Sequence, residues 1–353
     1  MDITPYLKLM VQKNASDLFL SVNTQVKVKI EGQATPVGKT VLTGDMTREA
    51  AYGIMNERQI GEFEDNMECD FAIAMPDGSA RFRVNVFRQR GEVSMVLRLI
   101  PSNIPTLAEL KLPEILSEIV MAKRGLILMV GATGSGKSTT LAAMIDHRNR
   151  NMAGHILTIE DPVEFSHPNH KAIVNQREVG VDTHSYQNAL KASLREAPDV
   201  ILIGEIRDRE TMEAALELSN TGHLAVSTLH ANNANQALER VVNMFPQTSH
   251  KQLFMDMSLN LEAIISQRLV QGVDGKRCAA IEILVSTPHI QELILKGEIG
   301  EVKEAMEGSG AKGMIAFDAA LFQLYKEGRI SMEEALLNAD SKTNLEAKIN
   351  FGE

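Results

Sequence analysis

The chain of 353 residues carries 36 Lys and Arg against 46 Asp and Glu, a formal charge of −10, with 44% apolar residues, 4% aromatics and no Trp. That length accommodates about two domains with cores of their own, and the composition is that of a folded soluble chain rather than a disordered one. The acidic balance supplies no general pull toward nucleic acid, and two cysteines without a C-x-x-C pair exclude both a disulfide scaffold and a Cys-rich zinc site.

The first residues, MDITPYLKLMVQKN, lack the basic start and apolar core of a secretory signal. Residues 1–100 read as a small α+β unit. Strand-like runs at Val26–Ile30 and Phe71–Met75 surround a helical pattern near Arg48–Phe63. The strongest local signal is a hairpin: Arg81–Phe87 and Ser94–Ile100 both alternate, with Arg90-Gly91 midway. A two-residue turn there pairs Phe82 with Leu99, Val84 with Leu97 and Val86 with Met95, which places three apolar pairs on one face. The other face then carries Arg83 directly opposite Arg98, with Arg81 two residues along.

Residues 101–113 hold three prolines and read as a linker. Beyond it the pattern becomes doubly wound. Gly125–Val130 is a buried strand, followed by a Gly-rich loop and a helix from about Lys137. Further apolar strands at His155–Ile159, Val200–Ile203 and Leu224–Thr228 alternate with helical stretches, which implies a parallel sheet covered by helices over 114–285. From about Leu253 the chain reads as mainly helical, with one more strand near Ala279–Leu284. Residues 286–340 form a helical C-terminal region and 341–353 a loose polar tail. The apolar run Leu126–Val130 is far short of the roughly 20 residues that span a bilayer, so a membrane role is expected to be peripheral.

Gly131-Ala132-Thr133-Gly134-Ser135-Gly136-Lys137-Ser138 matches G-x-x-x-x-G-K-[ST], with Thr139 following in the first helical turn. Glycines allow backbone N–H groups to turn inward around phosphate oxygens, and the helix start presents its positive end. Lys137 is expected to reach the β- and γ-phosphates and the Ser138 hydroxyl to ligate Mg²⁺. Two later strands end in carboxylates: Glu160, Asp161 and Glu164 after the second, and Glu205 after the third. A nucleotide hydrolase needs one acid for the Mg²⁺ shell and another to orient water. Glu205 occupies the first position, binding the metal through water, while strand-end acids in general also serve as caps and turn formers.

His223 and His230 bracket the fourth strand, as γ-phosphate sensors or intersubunit relays, or else as polar strand terminators. No H-E-x-x-H spacing exists, so zinc is not expected. The facing pair Arg83 and Arg98 would repel. That cost makes sense if an anion lies between them, such as nucleotide on the phosphate loop of a neighbouring subunit. Splaying into water, or pairing with the acidic run Glu62, Glu64, Asp65, Glu68 and Asp70, are the alternatives.

The segments GATGSGKSTTLAAM, LTIEDPVEF, REAPDVILIGEIRD and TGHLAVSTLHANNA, in this order, resemble the Walker A, Asp-box, Walker B and His-box segments of secretion-superfamily ATPases. Within that group the chain is similar to type IV pilus retraction motors of the PilT/PilU kind, from Asp2 to about Asp340. The resemblance implies an α/β fold with a RecA-like P-loop NTPase core, an N-terminal PAS-like α+β domain and a homo-hexameric ring with ATP between the two domains. It implies ATP and Mg²⁺ as ligands, catalytic roles for Glu164, Glu205, His230, Arg83 and Arg98, and nucleotide contacts for Arg81, Glu160, Asp161 and His223. It also implies a cytoplasmic location at the inner membrane, an inner-membrane platform protein as partner, and no nucleic acid. An AIRNLIRE-type segment of PilT-type motors reads here His289-Ile-Gln-Glu-Leu-Ile-Leu-Lys296, with Gln291 and Leu295 at its arginine positions. That departure favours the PilU kind and raises the alternative of an accessory subunit acting with a second retraction ATPase. A type II secretion or pilus assembly ATPase is the remaining alternative; those chains have longer N-terminal regions.

Overall fold

The computed structural model describes residues 1–30, 32–75, 77–101 and 103–351. Two compact units emerge: Met1–Asn103 with Val163–Ser166 and Gly180–Asp182, and the remainder.

The first unit is built on helix α1 (Thr4–Lys13), strands β1 (Asp17–Leu20), β2 (Gln25–Ile30) and β3 (Gln33–Val41), helices α2 (Gly44–Tyr52) and α3 (Glu57–Asn66), and strands β4 (Glu68–Ala74), β5 (Arg81–Gln89) and β6 (Glu92–Ile100). Its antiparallel sheet runs β3-β2-β1-β6-β5-β4. The β5–β6 hairpin has the register the alternation predicts, Phe82 facing Leu99, Arg83 facing Arg98 and Val86 facing Met95. Arg90 (φ 51°) and Gly91 (φ 82°) both take the left-handed turn conformation that tight hairpins require. Phe82, Val84, Val86, Met95 and Leu97 are fully buried with Phe63 of α3 in one core. The single helical pattern read over 48–63 is two helices. The first is spent at Gly53, and Asn56 restarts the chain with a reciprocal capping box to Gln59.

The second unit takes α4 (Ile115–Ile119), β7 (Gly125–Val130), α5 (Lys137–Asn151), β8 (Gly154–Glu160), β9 (Ala172–Glu178), α6 (Tyr186–Ser193), β10 (Val200–Ile203), α7 (Arg209–Asn220), β11 (Leu224–Leu229), α8 (Ala234–Asn243), α9 (His250–Asn260), β12 (Leu261–Gln271) and β13 (Arg277–Val285). Helices α10 (Pro288–Lys296), α11 (Val302–Glu307), α12 (Phe317–Lys326), α13 (Met332–Asn338) and α14 (Lys342–Phe351) follow. The sheet order is β13-β12-β7-β11-β10-β8-β9. Every pairing is parallel except the β12–β13 hairpin, which makes this a mixed α/β sheet. Strands β7 and β10 are buried along their whole length, as expected of a sheet covered on both faces. Helices pack two separate cores on it, one around Leu157, Ile201 and Met212, the other around Ile127, Met144 and Leu202.

Three sequence readings need correction. The stretch after Leu253, mainly helical as read, holds a further strand: α9 passes straight into β12, an eleven-residue strand beside β7. The span 101–113 is not wholly a linker, because Ile104 and Leu107 are buried in the second unit; Ser102 lies outside the described residues. The tail read as loose is ordered over its described part. Residues 342–351 form α14, and Leu345 is buried among Phe317, Leu321 and Ile330; residues 352 and 353 lie outside the description.

Candidate active site

Three neighbouring strand ends of the second unit build the site. Strands β7, β11 and β10 lie side by side and parallel, so their carboxyl ends form one edge, the position where open α/β sheets hold ligands. The phosphate loop leaves β7 at Gly131. His230 leaves β11, whose Leu229 pairs with Val130. Glu205 follows β10 by one glycine.

The loop closes on itself around its lysine. Lys137 Nζ donates to the carbonyls of Gly131 at 2.7 Å and Ala132 at 2.9 Å. Burial holds its ammonium below the ordinary lysine range, with the charge of Glu205 opposing. Gly131 (φ 150°), Gly134 (φ 79°) and Gly136 (φ 86°) take backbone conformations closed to most side chains. A Cβ on Gly131 would stand 2.6 Å from Ser135 Oγ, and the buried Ser135 hydroxyl has no hydrogen-bond partner among the described residues. A tight glycine cradle, a lysine and an unspent hydroxyl at the start of α5 suit an anion with phosphate chemistry.

Glu205 is lashed in place by β11. Thr228 Oγ1 donates to the Gly204 carbonyl at 2.6 Å, and the Ile206 N–H donates to the Thr228 carbonyl at 2.9 Å. Glycine at 204 permits close packing here, since a Cβ would stand 2.8 Å from the Tyr186 hydroxyl and 3.2 Å from Glu160 Cα. Burial pushes that phenol well above its usual range, so Tyr186 stays neutral beside the acids. His230 Nε2 lies 2.8 Å from Glu205 Oε1, and Arg207 Nε donates to Oε2 at 2.6 Å. A carboxylate only accepts, so Nε2 of His230 carries its proton in this contact. Each carboxylate oxygen keeps a second lone pair for water. Gly131, Ala132, His230, Asn232, Gln236 and Arg240 line an open cleft of about 470 Å³ beside the loop.

Ser138 is exposed at the second residue of α5, and Glu205 is a half-buried carboxylate: both are the hard oxygen donors that Mg²⁺ takes. No cluster of three or more His, Cys, Asp or Glu able to hold a metal exists among the described residues. A magnesium ion here would therefore draw its remaining ligands from water and phosphate.

The other predicted residues fall elsewhere. Glu160 ends β8, three strands from β7, a separation of about 14 Å at ordinary strand spacing. It is buried and accepts from Thr158 Oγ1 at 2.6 Å, so it does not reach the loop of its own chain. Asp161 follows it, exposed. His223 stands at the opposite end of β11, where its backbone carbonyl accepts from the Gly125 N–H at 3.0 Å. The strand's rise puts it about 20 Å from the loop edge. Its Nδ1 lies 3.1 Å from both the Thr221 hydroxyl and the Leu218 carbonyl.

Arg81, Arg83, Arg98 and Glu164 belong to the first unit, the exposed Glu164 through the segment Val163–Ser166. Arg83 and Arg98 do face each other, and Arg98, largely exposed, has a partner outside the acidic run. Asp17 of β1 pairs with Arg98 across the strands and accepts from its Nε at 2.9 Å. The acidic run serves other groups, Glu64 meeting Tyr52 and Arg88, and Asp70 accepting from Asn85. Sequence reasoning missed Arg207, which its place two residues after Glu205 could have flagged. It also missed Gln267, whose strand it had read as helix.

Known proteins resemble this chain along its length. The family model "Type II/IV secretion system protein" matches residues 1–344. The Pseudomonas aeruginosa "Type IV pilus ATPase PilU" is 54% identical over 353 residues, covering 100% of this chain and 92% of the relative. The "Type IV pilus retractation ATPase PilT" of the same organism is 42% identical over 335 residues, covering 95% and 97%. The crystal structure of the pilus retraction motor PilT with bound ADP superposes with a TM-score of 0.91 at 40% identity, over 98% of this chain and 99% of that one.

Proposed function

The chain belongs to the type II/IV secretion system protein family, and from that premise we propose that it is a Mg²⁺-dependent ATPase, working as a homo-hexameric ring, that powers type IV pilus retraction. The observation that carries this is the phosphate loop set beside the Glu205–His230 pair on adjacent strand ends, in a chain half identical to a pilus ATPase.

In this reading the second unit is the RecA-like core and the first a PAS-like lobe. Lys137 exchanges its two carbonyl partners for β- and γ-phosphate oxygens. Ser138 and, through water, Glu205 would hold Mg²⁺, which would supply charge neutralisation at the phosphates. Glu205 and Glu164 orient and polarise the attacking water. His230, its ring fixed by Glu205, registers the γ-phosphate. The cleft of about 680 Å³ bounded by Gly136, Thr139, Leu269 and Arg277 continues from the loop and has room for the nucleoside.

Arg83 and Arg98 of the first unit, with Arg81 beside them, close on the phosphates. Arg98 spends only Nε on Asp17, so its Nη groups are the ones a phosphate would take. Hydrolysis removes that attraction and the units swing about the prolines near residue 101, a hinge closure driven by differential ligand contacts. No helix among the described residues is long and apolar enough to cross a membrane. By its likeness to the pilus ATPases, we place the ring in the cytoplasm against an inner-membrane platform protein, with no nucleic-acid partner.

A second reading, an accessory subunit beside another retraction ATPase, is favoured by one observation. Gln291 and Leu295 stand where PilT-type motors carry arginines, and Leu295 is exposed on α10. Phosphate release from Mg-ATP by the assembled chain tests the main reading. Charge removal at Arg83 and Arg98 is expected to abolish turnover while ADP binding persists; turnover at the wild-type rate would overturn the two-unit stroke.

A further inference from the structure

The phosphate loop leans on one side chain that the proposed chemistry does not use. Parallel pairing of β12 with β7 ends where Ser266 meets Val130, so Gln267 stands beside Gly131 as the loop departs. Its backbone carbonyl would lie 2.5 Å from a Cβ on Gly131, and its Nε2 2.7 Å from a Cβ on Gly136. The backbone of the loop therefore touches Gln267 at both ends, at glycines that leave no room for a side chain.

The Gln267 amide is buried and spent twice. Nε2 donates to the Ser135 carbonyl at 2.8 Å, and Oε1 accepts from the Thr140 hydroxyl at 2.7 Å. A carbonyl can only accept, so the nitrogen end is assigned by Ser135, and Thr140 serves the oxygen end as donor. A trans peptide holds its C=O and the next N–H on opposite sides. Fixing the Ser135 carbonyl against β12 turns the Gly136 N–H away from β12 and into the loop, where it is a donor for an anion.

We propose that Gln267 is a positioning residue of the phosphate loop: clamped between Ser135 and Thr140, it sets the loop's N–H donors before nucleotide arrives. The proposal rests on the ATPase reading and adds a residue to it. Because the clamp acts only through the loop, its loss is predicted to weaken the grip on phosphates and leave the nucleoside untouched.

Gln267→Met keeps the length of the side chain and removes both hydrogen bonds. Calorimetric titration of the full chain with ADP and with adenosine reads the effect. Leaving the Ser135 carbonyl unpaired is expected to raise the ADP Kd about tenfold or more. Adenosine affinity should stay within about twofold, a split that general unfolding would not produce. Thr140→Val, which frees the amide to rotate, should shift ADP affinity in the same direction, and adding it to Gln267→Met should bring little further loss. It is also the fallback should Gln267→Met fail to fold. Wild-type ADP affinity in either variant, or an equal loss for adenosine, overturns the clamp. A wild-type chain that binds no ADP would sink the ATPase reading, whereas a wild-type chain that binds it beside an unaffected Gln267→Met sinks the clamp alone.

Discussion

Replacing Glu205 by Gln separates chemistry from fold at one atom pair. The carboxylate is 17% exposed, its partners His230 and Arg207 are 42% and 64% exposed, and the contacts are 2.8 Å and 2.6 Å. Ion pairs that open to water contribute about 0–1 kcal/mol each, because solvent screens them. Gln retains one acceptor oxygen for either partner, so unfolding temperature should fall by at most about 2–4 °C. The amide cannot take a proton from water, however, and loss of a positioned base costs about 10²–10⁴ in rate. The expectation is an intact particle that binds ADP within about threefold of wild type and releases phosphate at least a hundredfold more slowly. A steady-state phosphate-release assay beside ADP titration and thermal unfolding measures all three. Turnover within a factor of about ten of wild type would remove Glu205 from the chemistry. A large thermal loss with proportionate activity would make it a structural strut.

Two further outcomes concern stability. His167 is buried in the second unit, and burial pushes its imidazole down to about 4, with the charge of Asp146 opposing. A depressed histidine means that the unfolded chain binds the proton first, so stability falls as pH drops from about 6.5 toward 4. Relative to His167→Gln, which does not titrate, wild type should lose about 2 kcal/mol between pH 7 and pH 5. Parallel denaturant curves for the two would refute the assignment. In α14, Leu345→Ala should cost about 2–5 kcal/mol, because the side chain is buried against Phe317, Leu321 and Ile330. Hydrogen exchange should show residues 342–351 protected in wild type and released in the variant.

What could be read in advance follows from how local each signal is. The β5–β6 register was legible because three apolar pairs and a left-handed turn agree on one alignment. The strands β7, β10 and β11 were legible as unbroken apolar runs. Strand β12 was not, because α9 gives way to it at Leu261 with no glycine or proline between, and Glu262, Ser266 and Gln267 interrupt its apolar run. The partner of Arg98 was hidden for a different reason: Asp17 is 81 residues away in the chain and reaches it only through sheet order. The placement of His223 and His230 at opposite ends of β11 was legible because the apolar run Leu224–Leu229 separates them. The phosphate loop and Glu205 are nominated by their spacing after apolar strands, whereas Gln267 has no motif and becomes visible only when its strand lies beside Gly131.

The claim that this chain's own turnover pulls the pilus is tested most directly by watching individual labelled pili in cells whose sole copy carries Lys137→Ala. Loss of the ammonium that now bridges Gly131 and Ala132 should leave the ring assembled, phosphate release abolished and the fibres unable to shorten. Fibres that still shorten at the normal speed, in cells whose purified variant hydrolyses nothing, would contradict the account and assign the work to another ATPase.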